Sequence, residues 1–234
     1  MNSALFYIRQ LLPKKLFQAL QPPYHFLLAF LGAFIYHFPT KKLYVIGITG
    51  TKGKTTTAEL VNALLEEAGR KTALAGTLRF KIGTKSEPNL FKMTMPGRFT
   101  LQKFFRDALD AGCTHAVVEV TSEGVKQFRH RFIYLDALIF TNLAPEHIES
   151  HGSYEKYVAA KLEVGKQLLR SGGSNIFVGN KDDAKAGKFL ELGMKSPKLF
   201  SLRDAESRVL SRESSSFVWR REKVETKLVG EFNI

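Results

Sequence analysis

The stretch Val45-Ile46-Gly47-Ile48-Thr49-Gly50-Thr51-Lys52-Gly53-Lys54-Thr55-Thr56-Thr57 decides the fold. An apolar, β-branched run breaks into glycines and then Lys-Thr-Thr, which predicts a strand, a phosphate-binding loop and the first turn of a helix. Gly50 and Gly53 let the loop Gly50-Thr51-Lys52-Gly53 turn its backbone N–H groups inward. Lys54 brings a point charge to β- and γ-phosphates, Thr55 offers a hydroxyl to Mg²⁺, and Thr56 follows at the head of the helix. The longer Walker pattern has glycine where this chain has Ile48, so the signal is the shorter Gly-x-x-Gly-Lys-Thr form. It predicts a nucleoside triphosphate site.

Outward from this unit, strands and helices alternate, which predicts an α/β fold: a P-loop-containing, mostly parallel sheet flanked by helices. The strand Leu43–Ile48 leads to a helix over Thr55–Ala68 closed by Gly69. A helix over Leu101–Ala111, ended by Gly112, precedes the strand Ala116–Val120. The strand Ala137–Phe140, the loop Thr141–Gly152, a helix over Tyr154–Leu169 and the strand Asn175–Val178 complete the series. Residues Arg208–Val229 read as short antiparallel strands near the C-terminus, and there is no internal repeat or low-complexity segment.

With 234 residues, 44% of them apolar and 24% charged, the chain can bury a full core and has ordinary globular composition. The single cysteine, Cys113, excludes an internal disulfide framework, and no signal-peptide pattern follows Met1. The expected compartment is the cytoplasm. A net charge of +13 suits anionic partners. Nucleic acid is not expected among them, for there is no zinc-finger spacing, helix-turn-helix or aromatic RNA-binding signature.

Residues 1–41 stand apart as a basic-apolar helical segment. Through Lys42 the chain has no Asp or Glu, yet it carries Arg9, Lys14, Lys15, Lys41 and Lys42 around the apolar run His25–Ile35. That run, bounded by Pro22-Pro23 and Pro39, is shorter than a membrane-spanning helix requires. The expectation is a helical hairpin that packs on the domain or lies in a membrane interface through residues 24–38, at the inner face of the membrane. A transmembrane helix and a docking helix for a partner are the alternatives.

Three further features carry chemistry. Glu119 lies in the apolar run Val117-Val118-Glu119-Val120, at the carboxyl end of a strand where open α/β sheets place ligands, and Mg²⁺ is a natural partner for a carboxylate there. A structural ion pair is the alternative. The loop from Thr141 to Gly152 gathers Glu146, His147, Glu149 and His151 after another strand, which favours a metal or phosphate role over packing. Lys161 falls on the apolar stripe of its helix with Tyr154, Tyr157, Val158, Val164 and Leu168. Either its ammonium snorkels to the surface, or it is a perturbed amine turned toward the strand ends.

Taken in order, Thr49–Thr57, Glu119-Val120-Thr121-Ser122, Thr141-Asn142-Leu143, Glu146-His147, His151-Gly152 and Lys161 resemble the central ATP-binding domain of the Mur ligase family. The resemblance covers residues 42–234 and is greatest to the members that add the third residue of the peptidoglycan stem peptide. It implies an ATP-dependent carbon–nitrogen ligase with ATP and Mg²⁺, a UDP-muramoyl-peptide as carboxylate substrate, and an amino acid as amine. It also implies individual roles: Lys54 on the γ-phosphate, Thr55 and Glu119 on one Mg²⁺, and His147 with a carbamylated Lys161 on a second. Thr94, Ser122, Gln127 and Arg129 fall where such ligases contact the UDP-muramoyl substrate, and Asn180 and Asp183 resemble a turn near the nucleotide. Departures are Lys52 for the usual asparagine, Thr121-Ser122-Glu123 after the strand glutamate, and Glu146 for an aspartate. By the same resemblance, the UDP-binding and amino-acid-binding domains are not represented, so a truncated chain is expected. The alternatives are a non-catalytic nucleotide-binding module, or a ligase of the same family acting on folate or an amino-acid polymer.

Overall fold

A computed structural model of the chain describes residues 14–146 and 148–231. The decisive strand is β1 (Tyr44–Thr49), and it sits inside the main sheet because its neighbours cover it on both edges and both faces. With β2 (Thr72–Ala75), β3 (Arg79–Ile82), β4 (Lys85–Pro88), β5 (His115–Glu119), β6 (Ala137–Phe140), β7 (Ile176–Asn180) and β8 (Ser196–Phe200), it makes an eight-stranded sheet in the order β4-β3-β2-β5-β1-β6-β7-β8. Pairing is parallel from β2 through to β8, and the β3–β4 hairpin extends one edge antiparallel.

The helices are α1 (Lys14–Ile35), α2 (Lys54–Glu67), α3 (Arg98–Asp110), α4 (Ser122–Lys126), α5 (Ile148–His151), α6 (Tyr154–Ser171) and α7 (Ala186–Leu190). Successive strand residues point to opposite faces, so β1 sends Val45 into one core and Ile46 and Ile48 into another. The larger core joins Phe104 and Phe105 of α3 to Tyr157, Val164 and Leu168 of α6, and the smaller one packs Ala58 of α2. A small antiparallel sheet, β9 (Glu206–Leu210), β10 (Ser215–Trp219) and β11 (Glu222–Thr226), follows as the C-terminal pattern predicts.

Two sequence expectations need correction. Pro22 and Pro23 do not bound the apolar run, because α1 continues through both of them from Lys14. The residues before Lys14, which would form the other arm of a hairpin, lie outside the described residues. The chemistry-bearing loop after β6 is not wholly irregular either, since Ile148–His151 closes one helical turn as α5. The β3–β4 hairpin, α4, α7 and β8 carry too short an apolar pattern to stand out in the sequence.

Candidate functional site

The site lies at the carboxyl ends of β1, β5 and β6, where the strand order turns from one side of β1 to the other. Gly50 has φ +149°, and a Cβ there would fall 1.9 Å from the Thr141 hydroxyl oxygen, so only glycine fits this turn. Gly53, at φ +79°, caps α2 in the left-handed region. The loop is clamped from the β6 side. Thr51 N donates to Asn142 O at 2.8 Å, Lys52 N to Asn142 Oδ1 at 2.9 Å, and the Thr141 hydroxyl to Lys52 O at 2.7 Å. The Thr51 hydroxyl is 2.9 Å from Tyr157 Oη on α6 and accepts from Ala144 N at 3.0 Å. Thr56 is half-buried in the first turn of α2.

Two amines meet on one loop carbonyl. Lys54 Nζ donates to Gly50 O at 2.9 Å and to Thr51 O at 2.7 Å, and Lys161 Nζ donates to the same Gly50 O at 2.8 Å. Lys161 is 2% exposed, so the sequence alternative of snorkelling does not hold. Burial, reinforced by the charge of Lys54 and opposed by Glu146, takes its pKa down from 10.5 to about 7. Burial also lowers Lys54, with Glu119 and Glu146 opposing.

Glu119 is fully buried at the end of β5. Its Oε2 accepts from the Thr55 hydroxyl at 3.0 Å and the Thr77 hydroxyl at 3.0 Å, and its Oε1 accepts from Thr77 N at 2.7 Å. No lysine or arginine is hydrogen-bonded to it among the described residues, and its charge is felt at Lys54 across the loop. A carboxylate and a hydroxyl together beside a phosphate loop form a hard-oxygen donor pair that fits Mg²⁺, which takes its remaining ligands from phosphate and water. Among the described residues no cluster of three or more His, Cys, Asp or Glu stands ready to hold a metal unaided. His147 lies outside the described residues.

The remaining residues divide into two groups. Thr94, Ser122 and Arg129 line one cleft of about 320 Å³ with Met93, Met95, Thr121, Glu123, Ser150 and His151. Gln127 is tied to it, donating to Glu123 Oε1 at 2.8 Å and accepting from Arg129 Nη2 at 2.6 Å. The Thr94 hydroxyl is 2.9 Å from that of Thr77, so the cleft opens beside Glu119. His151 Nε2 approaches the Ser122 hydroxyl at 3.1 Å. Asn180 and Asp183 instead brace the loop after β6: Asn180 Nδ2 donates to Thr141 O at 2.9 Å, and Leu143 N donates to Asp183 Oδ2 at 2.6 Å.

Sequence reasoning missed Thr77 and the Thr51–Tyr157 hydroxyl pair. Thr77 had one signal, a Gly-Thr turn directly after the short apolar strand Ala73-Leu74-Ala75.

The description of the family model that matches residues 48–234 is Mur ligase middle domain. A UDP-N-acetylmuramoyl-L-alanyl-D-glutamate–2,6-diaminopimelate ligase of Chlamydia trachomatis serovar D is 36% identical over 215 residues, covering 88% of this chain and 44% of that protein. The ligase of the same name from Listeria innocua is 37% identical over 185 residues, covering 74% of this chain and 37% of its own length. The chain thus spans less than half the length of these relatives. A solved structure of a ligase of that name superposes with a TM-score of 0.67 at 27% identity, covering 82% of this chain and 40% of that one. MurF from Acinetobacter baumannii gives a TM-score of 0.65 at 20% identity, covering 89% of this chain and 44% of that one, which is a likeness of fold alone.

Proposed function

The chain belongs to the Mur ligase family through its middle domain, and we propose that residues 42–234 are the ATP-binding domain of a ligase that extends a UDP-N-acetylmuramoyl-peptide by one amino acid in peptidoglycan precursor synthesis. The observation that carries this reading is the convergence of Lys54 and the buried amine of Lys161 on the Gly50 carbonyl, beside the Thr55–Glu119 oxygen pair. A simple nucleotide-binding module has no use for a second, desolvated lysine inside its phosphate loop.

In the proposed reaction the substrate carboxylate attacks the γ-phosphorus of ATP, the bond to the β–γ bridging oxygen breaks, and ADP leaves. The acyl phosphate then takes the amino group of the incoming amino acid. Phosphate departs with the carbonyl's leaving oxygen, and the amine loses its proton to solvent. Lys54 exchanges the Gly50 and Thr51 carbonyls for phosphate oxygens and opposes the charge gathered on the transferring group. Thr55 and Glu119 would hold Mg²⁺, which supplies charge neutralisation to the phosphates. Lys161 in its neutral form reacts with carbon dioxide, losing one proton, to give a carbamate, which with His147 would serve a second Mg²⁺. Arg129, Thr94, Ser122 and Gln127 hold the muramoyl-peptide in the adjoining cleft, and Asn180 and Asp183 keep the nucleotide-side loop in place. The setting proposed is the cytoplasm, where ATP is available.

The test is acyl-phosphate trapping. With ATP, Mg²⁺, UDP-N-acetylmuramoyl-dipeptide and hydroxylamine, the chain should release ADP and form the peptide hydroxamate, and Lys54→Ala should do neither. ATP binding by calorimetry without any hydroxamate would support the non-catalytic module instead. Equal ATP binding by wild type and Lys54→Ala would show that the nucleotide site is misassigned.

A further inference from the structure

The outer face of α1 exposes a continuous row of large apolar side chains. Against α3 the helix lays Ala29, Gly32 and Ala33, with His25 2.6 Å from Arg98 Nη2, and this face is closed. On the opposite side, Leu20, Tyr24, Leu27, Leu31 and Phe34 recur at helical spacing and are 48%, 42%, 53%, 37% and 60% exposed. Phe26 and Phe30 flank them and join Phe38 and Phe132 in a chain of ring contacts at 5.4–6.3 Å. A helix apolar on both sides, with only one side packed among the described residues, needs a second apolar environment.

Charge selects which environment. Residues 1–42 contain five cations, Arg9, Lys14, Lys15, Lys41 and Lys42, and no Asp or Glu. Lys14 and Lys15 begin α1, and Lys41 and Lys42, both exposed, follow its end. The nearest acids on α3, Asp107 and Asp110, are already taken by Lys103 and Arg106. A second copy of this face would oppose cation to cation. No helix of the described residues is long and apolar enough to cross a bilayer.

We propose that the Leu20–Tyr24–Leu27–Leu31–Phe34 face of α1 docks on an anionic lipid bilayer, lying in its plane with the basic residues at both ends among the headgroups. At 1.5 Å per residue the helix is about 33 Å long, enough to rest its whole apolar face at the headgroup boundary. None of the five residues of this face is among those assigned to the ligase site, so this inference stands apart from the proposed reaction.

Co-sedimentation of residues 1–234 with vesicles tests it. The chain should sediment with phosphatidylglycerol-containing vesicles, far less with pure phosphatidylcholine, and less again in high salt. Leu20→Glu/Leu27→Glu should lower partitioning at least tenfold, and Lys42→Gln roughly fivefold, with ATP affinity unchanged in both. Unaltered sedimentation of Leu20→Glu/Leu27→Glu would overturn the proposal, as would no sedimentation with anionic vesicles. So would a dimer in light scattering that Leu27→Glu dissolves, since that assigns the face to a second copy.

Discussion

Replacing Lys161 by methionine should make the protein more stable while ending its chemistry. Before it takes up carbon dioxide, the free amine is 2% exposed and held at a pKa of about 7, against an ordinary 10.5. The unfolded chain therefore binds the proton more tightly than the folded one. At neutral pH that difference penalises folding by about 4 kcal/mol, at roughly 1.4 kcal/mol per tenfold in affinity. The penalty is present in full below about pH 7 and is relieved as pH rises toward 10.5. By pH 10 only about 1 kcal/mol remains. Methionine fills nearly the same volume without charge but gives up the 2.8 Å hydrogen bond to Gly50 O, a loss of about 1 kcal/mol. Lys54 still covers that carbonyl at 2.9 Å. The net gain is about 3 kcal/mol at pH 7, or roughly 6–12 °C in Tm for a chain of this size. Thermal and urea unfolding at pH 7 and pH 10 measure it, and the advantage of Lys161→Met should shrink at the higher pH. A variant less stable than wild type at pH 7, or an advantage that ignores pH, would refute the reasoning.

Other substitutions separate the parts of the site. Gly50→Ala places a methyl 1.9 Å from the Thr141 hydroxyl oxygen at φ +149°, so calorimetric unfolding should show a loss of about 2–3 kcal/mol, and ATP binding should fail with it. Glu119→Gln keeps a carbonyl oxygen for Thr77 N but loses the anion, and the gain in ATP affinity on adding Mg²⁺ should drop at least tenfold in titrations. Arg129→Gln removes a charged donor from the cleft beside Glu123 and should weaken UDP-muramoyl-peptide binding by roughly tenfold or more while leaving ATP affinity as it is, read from separate titrations of the two ligands.

The parts of the site differ in how far they could be read from the chain alone, and the difference follows sequence separation. Lys161 was visible as a lysine on an apolar stripe, a conflict between residue type and helix face. Its direction was not, because snorkelling and inward burial place the same residue at the same helical angle. Only the packing of α6 against the loop settles it, through a bond to Gly50 spanning 111 positions. In the same way Glu119 stood out as a charge in a buried strand, while its partner Thr77, 42 positions earlier, was hidden until β2 and β5 paired in register. Pro22 and Pro23 disfavour a helix locally, yet α1 runs through both because its face carrying Ala29 and Ala33 packs on α3.

By itself the sequence determined the strand-loop-helix unit at Val45–Thr57 and the alternating elements around it. Periodicities of 2 and 3.6 and the left-handed turns of glycine are properties of a few consecutive residues. The tertiary structure alone decided the strand order, the closed Gly50–Thr141 contact, the gathering of Thr94, Ser122 and Arg129 into one cleft, and which side of α1 stays bare. Those depend on which strands pair and which faces meet, and the free energy that chooses among pairings comes from burial summed over the whole chain rather than from any one segment of it.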